Sequence, residues 1–279
     1  MPDQINILDY DLIVFDIDGT IHDSNHQLHP FTQQTLLKLH EIPIPFTLAT
    51  GKNLPATRKT ADALGARLPL VLSNGCMLQK KTGEVLYKEA LPENVTRMII
   101  QICESRNLDL AIFIDNDIYI KEMNHNYGIL HDYGSPELIP VGNWVEMDNH
   151  LARIHKLMVI DRVSQDNLLS LEQIYRSHIK DEVEYCHTLK EMLEVMPAGV
   201  SKKSALQFLL NEENIPFERV IAFEDGDNDV EMVSAAGLGI AVENGSEKVK
   251  GAAKLVIPSC DENGPAQFLD QLIKQIKKN

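Results

Sequence analysis

The sequence predicts an α/β fold in which a parallel-sheet core carries an inserted α+β cap domain. Short apolar runs without polar alternation, of which residues 12–15 are the first, are typical of strands buried on both faces of a parallel sheet. Amphipathic stretches separate these runs, and this alternation indicates βαβ units with right-handed crossovers. In the middle third of the chain a strand alternates apolar and polar residues, as in an antiparallel sheet with one solvated face. We therefore expect a Rossmann-like core interrupted by a second domain.

The first part of the core is predicted over residues 1–83. Its apolar runs have the length of strands, and the stretches between them have the apolar spacing of helices. In chain order, the predicted elements are a strand ending before Asp16, a helix over 31–40, a strand ending at Thr50, a helix over 56–64 and a strand ending at Leu72. The turn at Lys81-Thr82-Gly83 then separates this part from a region of different pattern.

Residues 84–191 are predicted to form the cap, and residues 192–279 to complete the core. The predicted cap elements are a helix over 93–106, strands over 110–120 and 156–160, a helix over 165–177 and a strand over 182–187. The core elements that follow are a helix over 201–210, a strand over 219–223, a helix over 229–236, a strand over 238–242, a helix over 246–253, a strand over 254–258 and a C-terminal helix. The alternation of strand and helix in this last part matches that of the first, so both belong to one sheet.

The most informative segment is the first apolar run with the residues that follow it, Asp16-Ile17-Asp18-Gly19-Thr20. Open α/β sheets bind their ligands at the carboxyl ends of the strands, where Asp16 and Asp18 would lie. Gly19 allows the backbone to turn sharply, because glycine has no Cβ to clash. Taken alone, an Asp-x-Asp-Gly segment is also compatible with a simple Asx turn that ends a strand.

Three later segments follow in an order that favours a catalytic site. They are Leu48-Ala49-Thr50-Gly51-Lys52, Val200-Ser201-Lys202 and Ile221-Ala222-Phe223-Glu224-Asp225-Gly226-Asp227-Asn228-Asp229. With the first segment, their order and spacing resemble the four motifs of the haloacid dehalogenase superfamily, and within it the Cof-like sugar-phosphate phosphatases. The resemblance covers essentially the whole chain, although the middle third matches only loosely.

This resemblance implies a role for each motif residue. Asp16 would be the nucleophile and Asp18 the acid/base, while Thr50 would bind the transferring phosphoryl group and Lys202 would be the lysine of the third motif. The implied Mg²⁺ ligands are Asp16, Asp18 through its main-chain oxygen, Asp225 and Asp229. The implied substrate-binding residues are Gly51, Lys52, Asn74 and Asn228. Asn74 belongs to Leu72-Ser73-Asn74-Gly75, which taken alone is also a common tight turn.

The chemistry of these residues agrees with that implication. A carboxylate that attacks phosphorus forms an aspartyl-phosphate, which divides one difficult displacement into two easier ones. Because the carboxylate and the phosphate repel each other, a cation is needed, and Mg²⁺ prefers oxygen ligands such as carboxylates. Lys202 would add positive charge at the phosphoryl oxygens and Thr50 a hydroxyl donor. Asp18 would protonate the leaving alcohol and then deprotonate the attacking water.

Three positions depart from the family pattern. Glu224 stands where the fourth motif usually has glycine, and its side chain would either add a carboxylate near the metal or turn outward. Lys52 stands where many relatives have arginine, so the charge is kept but bidentate phosphate binding is lost. Lys203 follows Lys202 where glycine is common, and we assign Lys202 to the site from its place directly after Val200-Ser201.

The composition excludes several classes of function. A net charge of −15 and a pI near 5.1 argue against nucleic acid or an acidic membrane surface as a partner. The four cysteines are too widely scattered for a disulfide framework or a zinc site, which favours reduced thiols and a cytoplasmic protein. His22, His26 and His29 lie in a polar stretch that is more typical of a solvated loop than of a metal site. Neither a signal peptide nor a membrane-spanning stretch is expected.

The sequence therefore predicts a Mg²⁺-dependent phosphatase that hydrolyses small phosphomonoesters, in particular sugar phosphates. The expected partner is a small phosphorylated metabolite, and the protein is expected to be a monomer or a homodimer. A phosphomutase of the same superfamily is one alternative, because such an enzyme returns the phosphoryl group to another hydroxyl. A non-catalytic protein that binds a phosphorylated metabolite is the other, with Glu224 altering the metal loop.

Overall fold

The computed structural model describes residues 5–132, 134–135, 137–162 and 165–276. The chain forms two compact units that interrupt each other in sequence. Unit 1 comprises Met1–Thr50, Arg58–Leu86 and Ser201–Asn279, and unit 2 comprises Gly51–Thr57 and Tyr87–Val200. The predicted fold class, an α/β protein with a parallel-sheet core, is confirmed.

The secondary structure alternates between strands and helices through much of the described chain. The strands are β1 (Leu12–Phe15), β2 (Phe46–Leu48), β3 (Leu70–Leu72), β4 (Met77–Gln79), β5 (Val85–Lys88), β6 (Asp109–Ile114), β7 (Asp117–Ile120), β8 (Leu138–Pro140), β9 (Ile154–Ile160), β10 (Val183–Leu189), β11 (Met192–Pro197), β12 (Val220–Glu224), β13 (Leu238–Val242) and β14 (Leu255–Ile257). The α-helices are α1 (Pro30–Leu37), α2 (Leu54–Ala63), α3 (Glu93–Ser105), α4 (Gly128–Asp132), α5 (Gln165–His178), α6 (Lys202–Glu213), α7 (Val230–Ala235), α8 (Glu247–Ala252) and α9 (Gly264–Ile276). None of these helices combines the length and the apolar character that crossing a membrane requires.

Unit 1 is built on a five-stranded sheet in the order β14-β13-β12-β1-β2, in which all neighbours are parallel. Every residue of β1, β12 and β13 is buried, as expected for strands covered on both faces. Phe15 of β1 stacks on Phe223 of β12 with ring centres 5.0 Å apart, and Phe268 of α9 packs edge-on against Phe223. The carboxyl ends of β1 and β12 are therefore held side by side by a rigid core.

Unit 2 contains a six-stranded sheet in the order β10-β11-β9-β6-β7-β8. Its strand pairs are antiparallel except for β7 with β8, which are parallel. Helices α3 and α5 cover one face, where Ile99 and Leu171 are completely buried. The expected solvated second face is wrong, because Tyr127, Leu130 and other apolar residues pack against Phe113 and Met158 on that side. These apolar residues come from the stretch between β7 and β8, where α4 is only five residues long and the apolar spacing is not periodic.

Some elements differ from the predicted ones. The single strand predicted over 110–120 is a hairpin, β6 and β7, which turns at Asp115 with φ of 55°. The strand ending at Leu72 pairs antiparallel with β4 and makes only an isolated parallel bridge, Val71 to Ala49, toward the main sheet. Residues 192–197, which we expected to begin the second part of the core, form β11 and pair with β9 and β10. The runs are short, and short apolar runs do not reveal their pairing partners.

Candidate active site

Three of the predicted site residues follow adjacent parallel strands at the same edge of the unit 1 sheet. Asp16 comes directly after β1, Asp225 directly after β12, and Thr50 two residues after β2. Because β1 lies between β12 and β2, the sheet brings these side chains to neighbouring positions. Asp16 and Thr50 are both buried, with 7% and 2% of their surface exposed. The carboxyl edge of the sheet is thus the candidate site, as expected for an open α/β sheet.

Lys202 enters this site from the first turn of α6. The helix begins with a capping box, in which the Ser201 side chain accepts from the backbone N–H of Ser204. The Lys202 ammonium, only 1% exposed, lies 2.8 Å from Asp16 Oδ1 and 2.6 Å from Asp229 Oδ1. A cation at a helix N-terminus is unfavourable, so the carboxylates must offset both this effect and the loss of hydration.

The electrostatics of Lys202 and Asp16 follow from burial and from each other. Burial alone would lower the pKa of Lys202, but Asp16, Asp229 and Glu224 together raise the pKa well above its usual value. Burial raises the pKa of Asp16 to about 6, although Lys202 acts in the opposite direction. Asp229 and Asp18 add to the rise because they are of like charge. The amine is therefore firmly charged, while the nucleophile candidate lies in a site with excess negative charge.

Asp16, Asp225 and Asp229 form a cluster that is suited to a metal ion. One carboxylate oxygen from each of them lies within 4.8 Å of the other two. Burial, with repulsion from Asp16 and Asp229, raises the pKa of Asp225 well above its usual value. Hard carboxylate oxygens that repel one another in this way are the donor set that a divalent cation such as Mg²⁺ stabilises.

Glu224, the departure from the family pattern, turns inward. It is the last residue of β12, it is completely buried, and its Oε2 lies 3.4 Å from the Lys202 ammonium. Burial and repulsion from Asp229 raise the pKa of Glu224 well above its usual value. The alternative in which this side chain faces outward is therefore wrong.

Two histidines that we placed in a solvated loop lie beside Asp18. The Nδ1 atom of His26 is 3.2 Å from Asp18 Oδ1, and that of His22 is 3.9 Å from the same oxygen. His22 is buried, with its Nε2 atom 3.0 Å from Thr60 Oγ1. His29, in contrast, accepts from the backbone N–H of Phe31 and caps α1. The signal in the sequence was the spacing of four and eight residues after Asp18, which only a folded loop brings together.

The loop that carries Asp18 is fastened to the fourth motif. Thr20 donates to Asp225 Oδ1 at 2.7 Å, and the Asn244 side chain donates to the Gly19 carbonyl at 2.7 Å. Gly19 has φ of +78°, and a Cβ there would lie 2.4 Å from Asp225 Oδ2. The glycine is thus required both by the turn and by the approach of Asp225.

Asn74 and Asn228, which the resemblance implied as substrate-binding residues, lie beside each other, and their substrate roles stay predictions. The Asn228 side chain donates to Asn74 Oδ1 at 2.9 Å. Asn74 lies in a tight turn with φ of 56°, and the following Gly75 has φ of +97°. A Cβ on Gly75 would lie 2.0 Å from the Ser201 carbonyl oxygen, so the turn packs directly against the start of α6.

Gly51 and Lys52 are placed differently from the other predicted site residues. Thr50 is the last residue of its segment in unit 1, and Gly51 is the first of the segment that belongs to unit 2. Within unit 1, the Thr50 backbone N–H donates to Val71 and its carbonyl accepts from Asn74. Within unit 2, the Gly51 carbonyl accepts from the Lys156 ammonium at 2.9 Å. The structure therefore assembles Asp16, Thr50, Lys202 and the acidic cluster in one unit, and the substrate roles of Gly51 and Lys52 stay predictions.

Comparisons with known proteins agree with this geometry. The family model described as haloacid dehalogenase-like hydrolase matches residues 13–269 of the chain. The HMP-PP phosphatase of Cronobacter sakazakii is 27% identical over 265 residues, which cover 91% of this chain and 93% of that protein. The HMP-PP phosphatase of Yersinia pseudotuberculosis serotype I is 26% identical over 262 residues, which cover 93% and 94%.

A known crystal structure shows the same fold. A haloacid dehalogenase-like hydrolase from Bacteroides thetaiotaomicron superimposes with a TM-score of 0.85 at 23% identity, over 94% of this chain and 99% of that chain. At this identity the likeness concerns the fold and not the substrate.

Proposed function

The chain belongs to the haloacid dehalogenase-like hydrolases and is a phosphatase, and we propose that it hydrolyses small phosphomonoesters with Mg²⁺ through an aspartyl-phosphate on Asp16. One observation carries the proposal. The Asp16 carboxylate lies at the carboxyl edge of the sheet, 2.8 Å from the Lys202 ammonium, with carboxylate oxygens of Asp225 and Asp229 within 4.8 Å. The proposed nucleophile therefore lies beside both a buried cation and the proposed metal ligands.

In the first proposed step, an Asp16 oxygen attacks phosphorus and the bond from phosphorus to the ester oxygen breaks. Asp18 gives its proton to the departing alcohol oxygen. In the second step, Asp18 takes a proton from a water molecule that attacks the aspartyl-phosphate, which releases inorganic phosphate and restores Asp16. His26, 3.2 Å from Asp18 Oδ1, orients the carboxyl group between these two proton transfers.

Asp16, Asp225 and Asp229 would hold the metal, together with the main-chain oxygen of Asp18. The raised pKa values of Asp16 and Asp225 support this fit, because crowded carboxylates gain most from a nearby cation. Bound there, Mg²⁺ supplies charge stabilisation at the phosphoryl oxygens worth several kcal/mol. Lys202 adds a fixed positive charge that the helix and its carboxylate partners keep in place.

Thr50, Asn74 and Asn228 would position the substrate. The Asn74 backbone N–H donates to the Thr50 carbonyl at 3.0 Å, so the segments that carry these two residues are joined directly. The Thr50 hydroxyl would donate to a phosphoryl oxygen, and Gly51 and Lys52 would extend the phosphate-binding loop. The relatives named HMP-PP phosphatase support a small phosphorylated metabolite as substrate. Sugar phosphates are the first class to test.

The test measures phosphate release from a panel of sugar and nucleotide monophosphates, with Mg²⁺ and with a chelator. Asp16→Asn should abolish turnover, with a loss of at least about 10³-fold, because the nucleophile itself is removed. The matched control is Asp62→Asn, which removes an exposed carboxylate that pairs with Lys81. Turnover that persists in Asp16→Asn or in chelator would contradict the proposal, and an isomerised product without phosphate release would favour a mutase.

A further inference from the structure

Unit 2 contains a buried ion pair that lies outside all four motifs. Lys156 of β9 and Glu194 of β11 are 1% and 2% exposed, and Lys156 Nζ lies 3.0 Å from Glu194 Oε2. Burying two charges costs several kcal/mol per ion, and an apolar pair of similar size is often as stable or more stable. The pair therefore calls for an explanation other than stability.

The sheet register explains how the two side chains meet. Met158 pairs with Glu194 across β9 and β11, so Lys156, two residues from Met158, lies on the same face as Glu194. Phe113 of β6 pairs directly with Lys156 on the other side. The ammonium lies 4.3 Å from the centre of the Phe113 ring, close enough for a cation–π attraction. Three neighbouring strands thus fix the amine in one place.

The fixed ammonium holds the segment that follows Thr50. A lysine ammonium has three N–H donors, and here one donates to the Gly51 carbonyl at 2.9 Å while another binds Glu194. A second bond fixes the same segment, since the Asn53 side chain donates to the Asn116 carbonyl at 3.1 Å. Asn53 is also buried, and its Oδ1 accepts from the backbone N–H of Ala56 at the start of α2. Residues 51–53 are therefore attached to the unit 2 sheet and to its β6–β7 turn.

We propose that Lys156 is a positioning residue: its ammonium, oriented by Glu194 and Phe113, holds the Gly51 carbonyl and so fixes the phosphate-binding segment Gly51–Lys52. This inference rests on the proposed function, because it assigns the segment to the substrate phosphate. A charged donor makes a stronger hydrogen bond to a carbonyl than a neutral one does. An error of about 1 Å in the place of such a loop can cost about 100-fold in rate.

The test removes the anchor without leaving an unpaired buried charge. In Lys156→Met/Glu194→Met both charges are replaced by apolar side chains of similar length, so the thermal unfolding temperature should stay close to that of the wild type. We expect kcat/KM for a sugar phosphate to fall about 10- to 100-fold, mainly through KM, because the binding loop loses its anchor. Backbone hydrogen exchange over residues 51–57 should become faster by about tenfold, since local opening costs less.

Two further variants separate positioning from a merely structural role. Glu194→Gln keeps the Lys156 side chain and its bond to Gly51 but removes the carboxylate that orients the ammonium, so KM should rise by less than in the double variant. Arg97→Gln/Asp148→Asn removes an exposed ion pair elsewhere in unit 2 and should change neither KM nor exchange. If Lys156→Met/Glu194→Met does not fold, Lys156→Gln/Glu194→Gln takes its place. The two amides can hydrogen-bond to each other, but glutamine is shorter than lysine and carries no charge, so the Gly51 carbonyl loses its charged donor and the same two changes are expected.

The inference is overturned if the folded double variant keeps both the KM and the exchange of the wild type. It is equally overturned if Lys156→Gln/Glu194→Gln, in a folded protein, leaves both KM and exchange over residues 51–57 unchanged. If the wild-type protein releases no phosphate from any substrate of the panel, the proposed function is contradicted instead. In that case the exchange measurement alone decides whether Lys156 fixes the loop.

Discussion

Lys202 in unit 1 and Lys156 in unit 2 are equally buried, each with only 1% of its surface exposed, yet their surroundings differ. Lys202 faces three carboxylates, from Asp16, Glu224 and Asp229, within 3.4 Å. Lys156 has one carboxylate, a backbone carbonyl and an aromatic ring. The first group carries surplus negative charge, which a metal ion can offset, and the second is electrically balanced. We interpret the surplus buried charge as a sign of a catalytic or metal-binding role. We interpret the balanced pair as a device that holds a backbone segment in place.

Replacing each lysine by methionine tests this contrast most strongly. Lys202→Met should lower kcat by at least about 10³-fold, because the fixed cation at the phosphoryl group is lost. Each single substitution should cost about 3–5 kcal/mol of stability, since it leaves buried charge unpaired. Added Mg²⁺ should restore much of the unfolding temperature of Lys202→Met, but little of that of Lys156→Met.

Assays of kcat and thermal unfolding with and without Mg²⁺ provide both readouts. Lys203→Met, which changes the half-buried neighbour of Lys202, is the control and should behave like the wild type. Equal rescue of both variants by Mg²⁺ would show that the contrast in charge has no functional meaning.

Two glycines with almost the same φ test how strictly the position of Lys202 is set. Gly75 and Gly83 have φ of +97° and +99°, but a Cβ would lie 2.0 Å from the Ser201 carbonyl at Gly75 and would meet nothing within 4 Å at Gly83. The left-handed backbone costs each alanine variant about 1–2 kcal/mol. Gly75→Ala should cost about 2 kcal/mol more and also lower kcat, because α6 must shift.

Urea unfolding and kcat of Gly75→Ala and Gly83→Ala supply the comparison. Equal losses in the two variants would mean that the contact between the turn and α6 places no constraint on the site.

The pH dependence of stability distinguishes the acidic cluster from the balanced pair. Asp16 has a folded pKa of about 6 against an ordinary 3.8. As pH rises between these values the unfolded chain releases this proton first, so Asp16 makes the protein less stable over that window. Asp16→Asn should therefore gain stability relative to the wild type as pH rises. The difference between the two proteins in the free energy of unfolding should level off above about pH 6.

Urea unfolding in chelator from pH 4 to pH 7 measures this difference in the free energy of unfolding. Asp62→Asn serves again as the control, and added Mg²⁺ should remove most of the difference at pH 7. A difference in unfolding free energy that does not change with pH would contradict the raised pKa of Asp16.

The sequence predicted the positions of those candidate site residues that follow the ends of strands. The apolar runs before Asp16, Thr50 and Asp225 predicted three parallel strands, and parallel strands necessarily bring their carboxyl ends to one edge. Ser201 predicted the start of α6 and hence the place of Lys202. These features depend on local patterns that a single chain displays.

What the sequence did not reveal depends on register and on loop conformation. Lys156 and Glu194 are 38 residues apart, and only the pairing of β9 with β11 puts them on one face. The approach of His26 to Asp18 comes from the conformation of the loop between them, in which His26 has a positive φ of 57°. The inward direction of Glu224 follows from its place as the last buried residue of β12, one residue beyond the predicted strand.

The most direct test of the central claim is a burst experiment with Asp18→Asn and 4-nitrophenyl phosphate in Mg²⁺. This leaving group needs no protonation, so attack by Asp16 can proceed while hydrolysis of the aspartyl-phosphate lacks its base. We predict a burst of about one 4-nitrophenolate per active site, followed by slow turnover, with the phosphate found on Asp16 by mass spectrometry of the quenched protein. Linear release without a burst, or phosphate attached to another residue, would contradict the account.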